Sequence, residues 1–192
     1  MAAATHTTLS TFTGALQYGG ARPSLFEVTV SKPSAVTGTF DNMKTQCTVS
    51  AIPPLTVTPI ERQYFGRTVK IPGDMVFGDL STTIINTEDF SLRKPLEDWC
   101  NKINNTGTNY GKSDNSSTFG SVTLTQFNKE GKGLISWTFI DCWPQTIAEI
   151  PLSYDTASDI EQFDVTWAYN YYTQAKASGG ASSVSSSYSK HL

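Results

Sequence analysis

The sequence predicts a mostly β domain with one flanking helix. Short runs of alternating apolar and polar residues recur along the chain, which is the pattern of half-buried strands. Clusters of Gly, Pro, Asn and Asp separate these runs and are typical of turns. Hydrophobic residues make up only 38% of the chain and charged residues 16%, so Ser, Thr, Asn and Gln fill much of the balance. This composition is common in β proteins whose faces meet other polar surfaces.

The 192 residues fit one domain with extra length at its ends. Residues 1–23 are small and polar, and they predict an extended N-terminal arm. Residues 24–173 carry the alternating runs and predict the β domain. Residues 174–192 are rich in Ser and Gly and predict a C-terminal tail that lacks a packed core of its own.

The first two strands are predicted from alternation. The run Ser24–Val30 places Phe26, Val28 and Val30 on one face, as in a half-buried strand. A second strand is expected over Gln46–Ile52, where two prolines end it.

A β-hairpin is predicted next. Its strands are Leu55–Tyr64 and Arg67–Ile71, joined at Phe65-Gly66, and it lacks a strong apolar stripe. The segment Pro72–Asp74 is expected to stop it, because Pro and Gly commonly end strands. A further strand rich in Thr and Ile is expected over Leu80–Thr87.

One amphipathic helix follows, since apolar residues recur there at helical spacing. Thr87 or Ser91 is expected to cap its start, with Glu88 and Asp89 in or near the first turn. Pro95 implies either that the helix begins near it or that the first turn is irregular. The stripe consists of Leu92, Leu96, Trp99, Cys100 and Ile103.

The second half of the domain begins with a polar loop over residues 104–118. The clearest hairpin then joins Gly120–Asn128 to Leu134–Trp143 and closes at Pro144. The last strand is predicted over Gln162–Tyr172. One face of this strand is expected to carry Phe163, Val165, Trp167, Tyr169 and Tyr171.

The sequence lacks the residue combinations and motifs of common catalytic sites. The only histidines are His6 and His191, both in the predicted tails, so Ser-His-Asp, Cys-His and His-based zinc sites are excluded. Neither a P-loop nor a GxGxxG turn is present. The sequence therefore predicts a protein that is not an enzyme, with no cofactor and no metal site.

The remaining chemical groups favour structural roles. Cys47, Cys100 and Cys142 are scattered, which fits reduced thiols better than a disulfide framework. A carboxylate cluster could in principle bind Ca²⁺, but its spacing matches no such loop and a solvated acidic turn is preferred. The cluster comprises Asp155, Asp159, Glu161 and Asp164.

Charge and hydropathy limit the partners. The formal net charge is −3 and the basic residues form no cluster, unlike those of proteins that grip nucleic acid. No apolar run approaches the ~18 residues of a membrane-spanning helix. Long Thr-rich strands leave open sheet edges and polar faces, and such edges either are blocked or pair with other copies. We therefore expect a structural subunit that assembles with itself.

Six segments, in this order and at this spacing, resemble the tail tube protein family of T4-like, contractile-tailed bacteriophages. Together they cover roughly residues 20–172, and the ordered set is more specific than any one segment. They are Gly20–Val28, Gln46–Pro53, Arg67–Asp74, Leu96–Trp99, Trp143–Ile147 and Ile160–Tyr171.

This resemblance implies two packed antiparallel sheets with one flanking helix. It also implies hexameric rings whose inner sheets join into a barrel, and which stack into the tube through which DNA leaves the virion. The partners implied are further copies of the chain and the tail sheath, baseplate and tail terminator proteins. DNA would pass without specific binding, and assembly would take place in the host cytoplasm. The loops Ser31–Thr45 and Thr106–Thr118 and the Ser-rich tail are longer than the family pattern.

The hairpin Leu55–Ile71 is our expected contact between rings or subunits, because it is long and must protrude. A plain surface hairpin is the alternative, since exposed ion pairs contribute only ~0–1 kcal/mol each. The expected interface residues are Arg62, Tyr64, Phe65, Arg67 and Lys70. The expected core residues are Phe26, Val28, Trp99, Trp137, Phe163 and Trp167.

Two other functions remain open at this stage. A baseplate or tail-end protein of the same fold would initiate or cap the tube, and it would form rings without propagating. An effector-like or carbohydrate-binding β-sandwich would instead be a stable monomer with glycan affinity.

Overall fold

Strands dominate the computed structural model, which describes residues 9–16, 20–112, 114–156 and 159–177. The helices are α1 Leu9–Ala15, α2 Met43–Gln46, α3 Arg93–Ile103 and α4 Asn115–Thr118, with a 3-10 turn at Tyr154–Thr156. The strands are β1 Phe26–Ser31, β2 Cys47–Ser50, β3 Leu55–Tyr64, β4 Arg67–Phe77, β5 Leu80–Ile85, β6 Gly120–Phe127, β7 Gly133–Ile147, β8 Gln162–Ala168 and β9 Tyr171–Lys176.

Seven of these strands pair in the order β1-β6-β7-β8-β5-β2, with β9 also pairing β7, and every pairing is antiparallel. The long strand β7 belongs to two sheets, because its first part pairs with β6 and β9 and its last part with β8. One sheet is therefore β1-β6-β7-β9 and the other is β7-β8-β5-β2. The predicted mostly β fold of two packed antiparallel sheets is confirmed.

Pro144 was predicted to close the hairpin, but β7 continues to Ile147. A bend in β7 explains why the proline does not end the strand. Asp141 has a φ of 53°, outside the extended region, and marks the point where β7 leaves one sheet for the other. Beyond it, Pro144 pairs with Trp167 at the edge of the second sheet, where β8 is the only neighbouring strand recorded within the described residues. Proline is tolerated at an edge because its missing N–H would face away from the ladder.

The predicted last strand is divided by the same corner. β8 ends at Ala168 and β9 begins at Tyr171, while the Asn170 amide donates to the Asp141 carboxylate at 3.0 Å. The break shifts the alternation by one residue, so Tyr172 packs against the core and Tyr171 is exposed. The predicted inward face was therefore right through Tyr169, which also packs against the core, and wrong at Tyr171.

The helix α3 closes one side of the two sheets. Its residues Leu96 and Trp99 are buried, and the Trp99 ring meets Trp167 edge-to-face with centroids 5.9 Å apart. The expected caps were wrong: the N-cap is Leu92 without a side-chain hydrogen bond, and no acidic residue lies in the first turn. Pro95 is the third helical residue, where its missing N–H has no partner within the helix to lose.

The core lies between the sheets and α3. Of the predicted core residues, Phe26 is partly buried and packs against it, while Val28, Trp99, Trp137, Phe163 and Trp167 are buried. The segment Ser31–Thr45 was predicted to be a long loop, yet four further side chains are buried in it. They are Pro33, Val36, Phe40 and Met43.

The predicted terminal segments are only partly described. Within the N-terminal arm, α1 is helical where extended backbone was predicted, and residues 1–8 and 17–19 lie outside the described residues. At the other end β9 runs to Lys176, three residues past the predicted domain boundary, and residues 178–192 lie outside the described residues.

Candidate assembly surface

The hairpin of β3 and β4 stands apart from the two sheets. Its strands pair only with each other, and within the described residues neither packs along another strand or helix. Every residue of β3 and most of β4 are exposed. Ten residues of strand reach about 33 Å. The hairpin is thus a long projection from the body.

The hairpin is longer than predicted, because β4 continues through the expected stop to Phe77. The register passes from Val57↔Met75 to Pro59↔Pro72, so β4 carries one extra residue at a bulge that includes Gly73. A Cβ at Gly73 would lie 2.5 Å from the Thr58 carbonyl oxygen, which explains why glycine occupies this position.

The outer part of the hairpin has two unlike faces. Cross-strand partners share a face, so the register assigns each side chain to one of them. One face is polar: Lys70 pairs with Glu61 at 3.2 Å, and the Gln63 amide donates to the Thr68 hydroxyl at 3.0 Å. The other, here called the distal face, contains Ile60, Arg62, Tyr64, Arg67, Val69 and Ile71.

The tip combines strain with exposure. Phe65 and Gly66 have φ values of 44° and 77°, as a two-residue type I′ turn requires. Glycine and asparagine normally occupy such positions, so a phenylalanine there is strained. Its ring is 90% exposed and meets Tyr64 edge-to-face, with centroids 4.6 Å apart. Backbone strain at an exposed aromatic residue indicates that this residue has a role in contacts with another molecule.

The base of the hairpin is fixed to the body by aromatic packing. The Phe77 ring lies 5.4 Å from the Tyr172 ring and 6.2 Å from the Tyr169 ring. The Tyr169 hydroxyl donates to the Gly78 carbonyl oxygen at 2.6 Å. Burial raises the pKa of Tyr169 to about 12, so this hydroxyl stays protonated and can donate. The projection therefore leaves the corner of the sheets at a defined point.

The structure divides the predicted interface residues. Arg62, Tyr64 and Arg67 lie on the distal face, and Phe65 lies at the tip. Lys70 lies on the opposite, polar face, where its partner is a residue of the same hairpin. Met75, which lies beyond the predicted end of the hairpin, is also exposed. The spacing of Met75 and Phe77 after the turn residues was the signal that could have extended β4.

A second surface is the outer face of the sheet β1-β6-β7-β9. One row crosses all four strands in register as Thr29, Thr123, Thr138 and Thr173. The hydroxyl oxygens of Thr123 and Thr138 are 3.4 Å apart. The core lies behind this face, where Val28, Leu124 and Trp137 are buried. The sheet thus presents a hydroxyl-rich surface on its outer side.

The part of the chain that the structure describes contains no group of three or more His, Cys, Asp and Glu side chains suited to a metal ion. In the same residues, no helix has the length and apolar character needed to cross a membrane. The three cysteines are free. Burial raises the pKa of both Cys47 and Cys142 to about 12, so these thiols stay protonated near neutral pH.

Comparison with known proteins identifies the family. Residues 21–175 match the family described as phage tail tube protein. The chain belongs to this phage tail tube protein family. The match begins within the predicted N-terminal arm and ends one residue before the last residue of β9.

A curated relative of this tail tube family chain is the tail tube protein gp19 of Enterobacteria phage T4. The two are 27% identical over 153 residues, which are 79% of this chain and 90% of the T4 protein. The resemblance inferred from the six sequence segments is therefore confirmed.

Solved structures share the fold. A chain in the sheath–tube complex of an extracellular contractile injection system (PVC, extended state) is 19% identical, with a TM-score of 0.58 over 88% of this chain and 99% of that one. A chain of the anti-feeding prophage cap, a tube-terminating cap, is 16% identical, with a TM-score of 0.60 over 82% of this chain and 91% of that one. The two chains thus resemble this tail tube family chain about equally in fold.

Proposed function

We propose that this chain is the structural subunit of a phage tail tube, in which six copies close into a ring and rings stack into a conduit for DNA. The observation that carries the proposal is the family match over residues 21–175. The projecting hairpin and the two-sheet body with open edges support it.

Ring closure uses the edges of the sheet β1-β6-β7-β9. The four strands alternate in direction, so β9 of one copy runs antiparallel to β1 of the next copy after rotation. The antiparallel ladder can therefore continue through each joint, and a closed ring leaves no open edge. Edge β9 is available because β7 is its only recorded partner among the described residues.

The hydroxyl-rich face of this sheet lines the bore. Threonine and serine hydroxyls hold water but carry no charge, so they neither attract nor repel phosphates strongly. The one charged side chain of β1, Glu27, lies 3.2 Å from the Lys44 ammonium group. With a net charge of −3 on the chain, this surface lets DNA pass without specific binding.

The hairpin makes the contact between rings, with Arg62, Tyr64, Phe65 and Arg67 as its contact residues. Lys70 is the least suited of the predicted set, because it already pairs with Glu61. The partners in the assembled tail are a sheath, a baseplate and a terminator, and the location is the virion after assembly in the host cytoplasm. The similarity to a chain of a sheath–tube complex supports the sheath among these partners.

A second candidate is a cap or baseplate component of the same fold. The chain matches a tube-terminating cap with a TM-score of 0.60, so the fold alone supports a cap as well as it supports a tube. The two candidates differ in one property: a tube subunit propagates from ring to ring, whereas a cap stops after one ring.

Negative-stain electron microscopy of the purified untagged full chain, preceded by sizing, tests the proposal. Tubes of stacked six-fold rings are expected, either alone or seeded on a purified baseplate. Single rings that never extend, even on a baseplate, would favour the cap. A stable monomer under all of these conditions would contradict both.

A variant pair tests the ring-closing edge. The Ala177 N–H donates to the Leu134 carbonyl oxygen, and N–H groups alternate in direction along a strand, so the Gln174 N–H points away from β7. Gln174→Pro removes this outward donor without removing a bond to β7, and it should abolish rings. Gln174→Ala is the matched control and should form rings. Normal rings from Gln174→Pro would refute the assignment of β9 as the joint.

A further inference from the structure

Residues 150, 151, 153 and 159–162, which lie around the connection from β7 to β8, line an open cleft of about 440 Å³. It lies at the far end of the second sheet from the hairpin. The hairpin joins β5 at Leu80, which pairs with Trp167, whereas the cleft adjoins Gln162, which pairs with Ile85. Six residues of strand separate the two sites, which is about 20 Å. The hairpin base and the cleft therefore lie at opposite ends of one sheet.

Exposed apolar side chains line this cleft or lie next to its lining residues in the sequence. Leu152 is 83% exposed, Tyr154 is fully exposed and Ile160 is 68% exposed. Ile150 and Pro151 line the cleft wall. A group of large apolar side chains at one place on a surface marks a site of protein contact.

The same cleft is acidic. Asp159 and Glu161 line it, and Glu149 and Asp155 flank it in the sequence. Within the described residues none of these four carboxylates has an ion pair with Lys or Arg. Glu161 accepts a hydrogen bond from the Asn86 amide at 2.8 Å, which leaves its charge uncompensated. A partner for this cleft should bring cations together with apolar or aromatic side chains.

The distal face of the hairpin has these properties. Arg62 and Arg67 lie on it with Tyr64, and Phe65 stands at the tip. No ion pair is recorded for Arg62 or Arg67 in the part of the chain that the structure describes. Both surfaces thus carry uncompensated charges of opposite sign beside exposed apolar groups.

A second cleft of the body fits this hairpin less well. It lies between the segment Gly20–Leu25 and the turn that joins β6 to β7, and its lining has two cations, Arg22 and Lys129, against one carboxylate, Glu130. Like charges facing each other in an interface are unfavourable. Charge therefore selects the acidic cleft.

We propose that the distal face of the hairpin on one copy of this chain docks into the acidic cleft, residues 149–155 and 159–162, of a copy in the adjacent ring. This inference rests on the proposed stacking of rings. The contact is heterologous, since two different surfaces meet, and a repeated heterologous contact along an axis propagates instead of closing. The apolar side chains supply contact area, and the arginine and carboxylate groups fix the register.

Charge reversal tests this docking in the full chain. One variant carries Arg62→Glu and Arg67→Glu, a second carries Asp155→Lys and Asp159→Lys, and a third carries all four changes. All four side chains are exposed, so circular dichroism should match the unaltered chain. Rings are measured by sizing and tubes by negative-stain electron microscopy.

We expect both double variants to form rings without tubes, because each places like charges in the interface. The fourfold variant should regain tubes of its own but should not extend tubes of the unaltered chain. A matched control reverses Asp41 and Glu130, which are exposed and lie outside the acidic cleft, and it should form tubes.

The outcomes distinguish failure of the docking from failure of the tube function. If the unaltered chain forms tubes and either double variant does too, or the fourfold variant fails to regain them, the docking is refuted and the tube function stands. If the unaltered chain never stacks, even on a baseplate, the proposed function itself fails.

Discussion

Replacing Trp167 by Ala tests how the body of the subunit is held together. Trp167 is fully buried, and its ring meets Trp99 edge-to-face. Its indole N–H donates to the Thr82 hydroxyl at 2.9 Å, and that hydroxyl lies 3.4 Å from the Val165 carbonyl oxygen. The side chain therefore joins α3 to the sheet β7-β8-β5-β2.

The cost follows from these contacts. Truncating a buried Trp to Ala lowers the free energy of unfolding by about 3–5 kcal/mol, because it removes buried apolar surface and leaves a cavity. Trp167→Phe keeps much of the ring but removes the N–H, so we expect a smaller loss of about 0.5–1.5 kcal/mol from the hydrogen bond, plus a cavity contribution. Domains are stable by only about 5–15 kcal/mol, so Trp167→Ala should also reduce assembly.

Urea unfolding followed by far-ultraviolet circular dichroism provides the measurement. With a slope of about 2 kcal/mol per molar urea, the midpoint should fall by about 1.5–2.5 M in Trp167→Ala. Tyr154→Ala is the control, because this side chain is fully exposed and its loss should shift stability by less than about 0.5 kcal/mol. A loss below about 1 kcal/mol in Trp167→Ala, or normal tubes from that variant, would refute the placement of β8.

Three further predictions follow from single sites. Phe65→Asn should increase hydrogen-exchange protection of the hairpin amides, because Asn tolerates a φ of 44° better by about 1 kcal/mol. Gly120→Ala should lower the urea midpoint by the equivalent of about 1–3 kcal/mol, because its Cβ would lie 2.6 Å from the Trp99 ring. Burial raises the pKa of Cys47 and Cys142 from 9.0 to about 12, so stability should hold below pH 9 and fall between pH 9 and 12, as urea midpoints measured across that range will show.

Each of these predictions has a matched comparison. Phe65→Ala removes the ring without relieving the backbone, so equal protection in the Ala and Asn variants would contradict the strain argument. Gly14→Ala should not lower the urea midpoint, because no atom lies within 4 Å of the added Cβ and Ala favours the helix α1. Cys47→Ala should make the alkaline fall shallower; an unchanged fall would show that this thiol does not contribute.

The sequence by itself determined the strand content, the position of α3 and the family. Strands such as β1 and β8 can be predicted from the sequence because period-two alternation is a local property of the chain. The hairpin with its turn at Phe65-Gly66 was predicted for the same reason, although its length was not. The projection of this hairpin could be inferred as well, since ten residues of β3 show no continuous apolar stripe.

Tertiary structure decided where the strands go and which surfaces they leave open. The corner at Asp141 and Asn170 sends β7 and the β8–β9 segment from one sheet to the other, and no local pattern marks it, because the exchange depends on pairing partners distant in sequence. The burial of Val36, Phe40 and Met43 could not be predicted from the sequence either, since residues of a loop are buried only when the sheets and the helix enclose them.

The candidate docking surfaces show the same division. The arginines of the hairpin and the carboxylates near Asp155 are visible in the sequence, but their separation to opposite ends of one sheet is not. That separation arises from the pairing of β5 with β8, which places Leu80 beside Trp167 and Ile85 beside Gln162. Residue chemistry thus specified the charge and apolar character of each surface, and long-range strand pairing placed the two surfaces at opposite ends of one sheet.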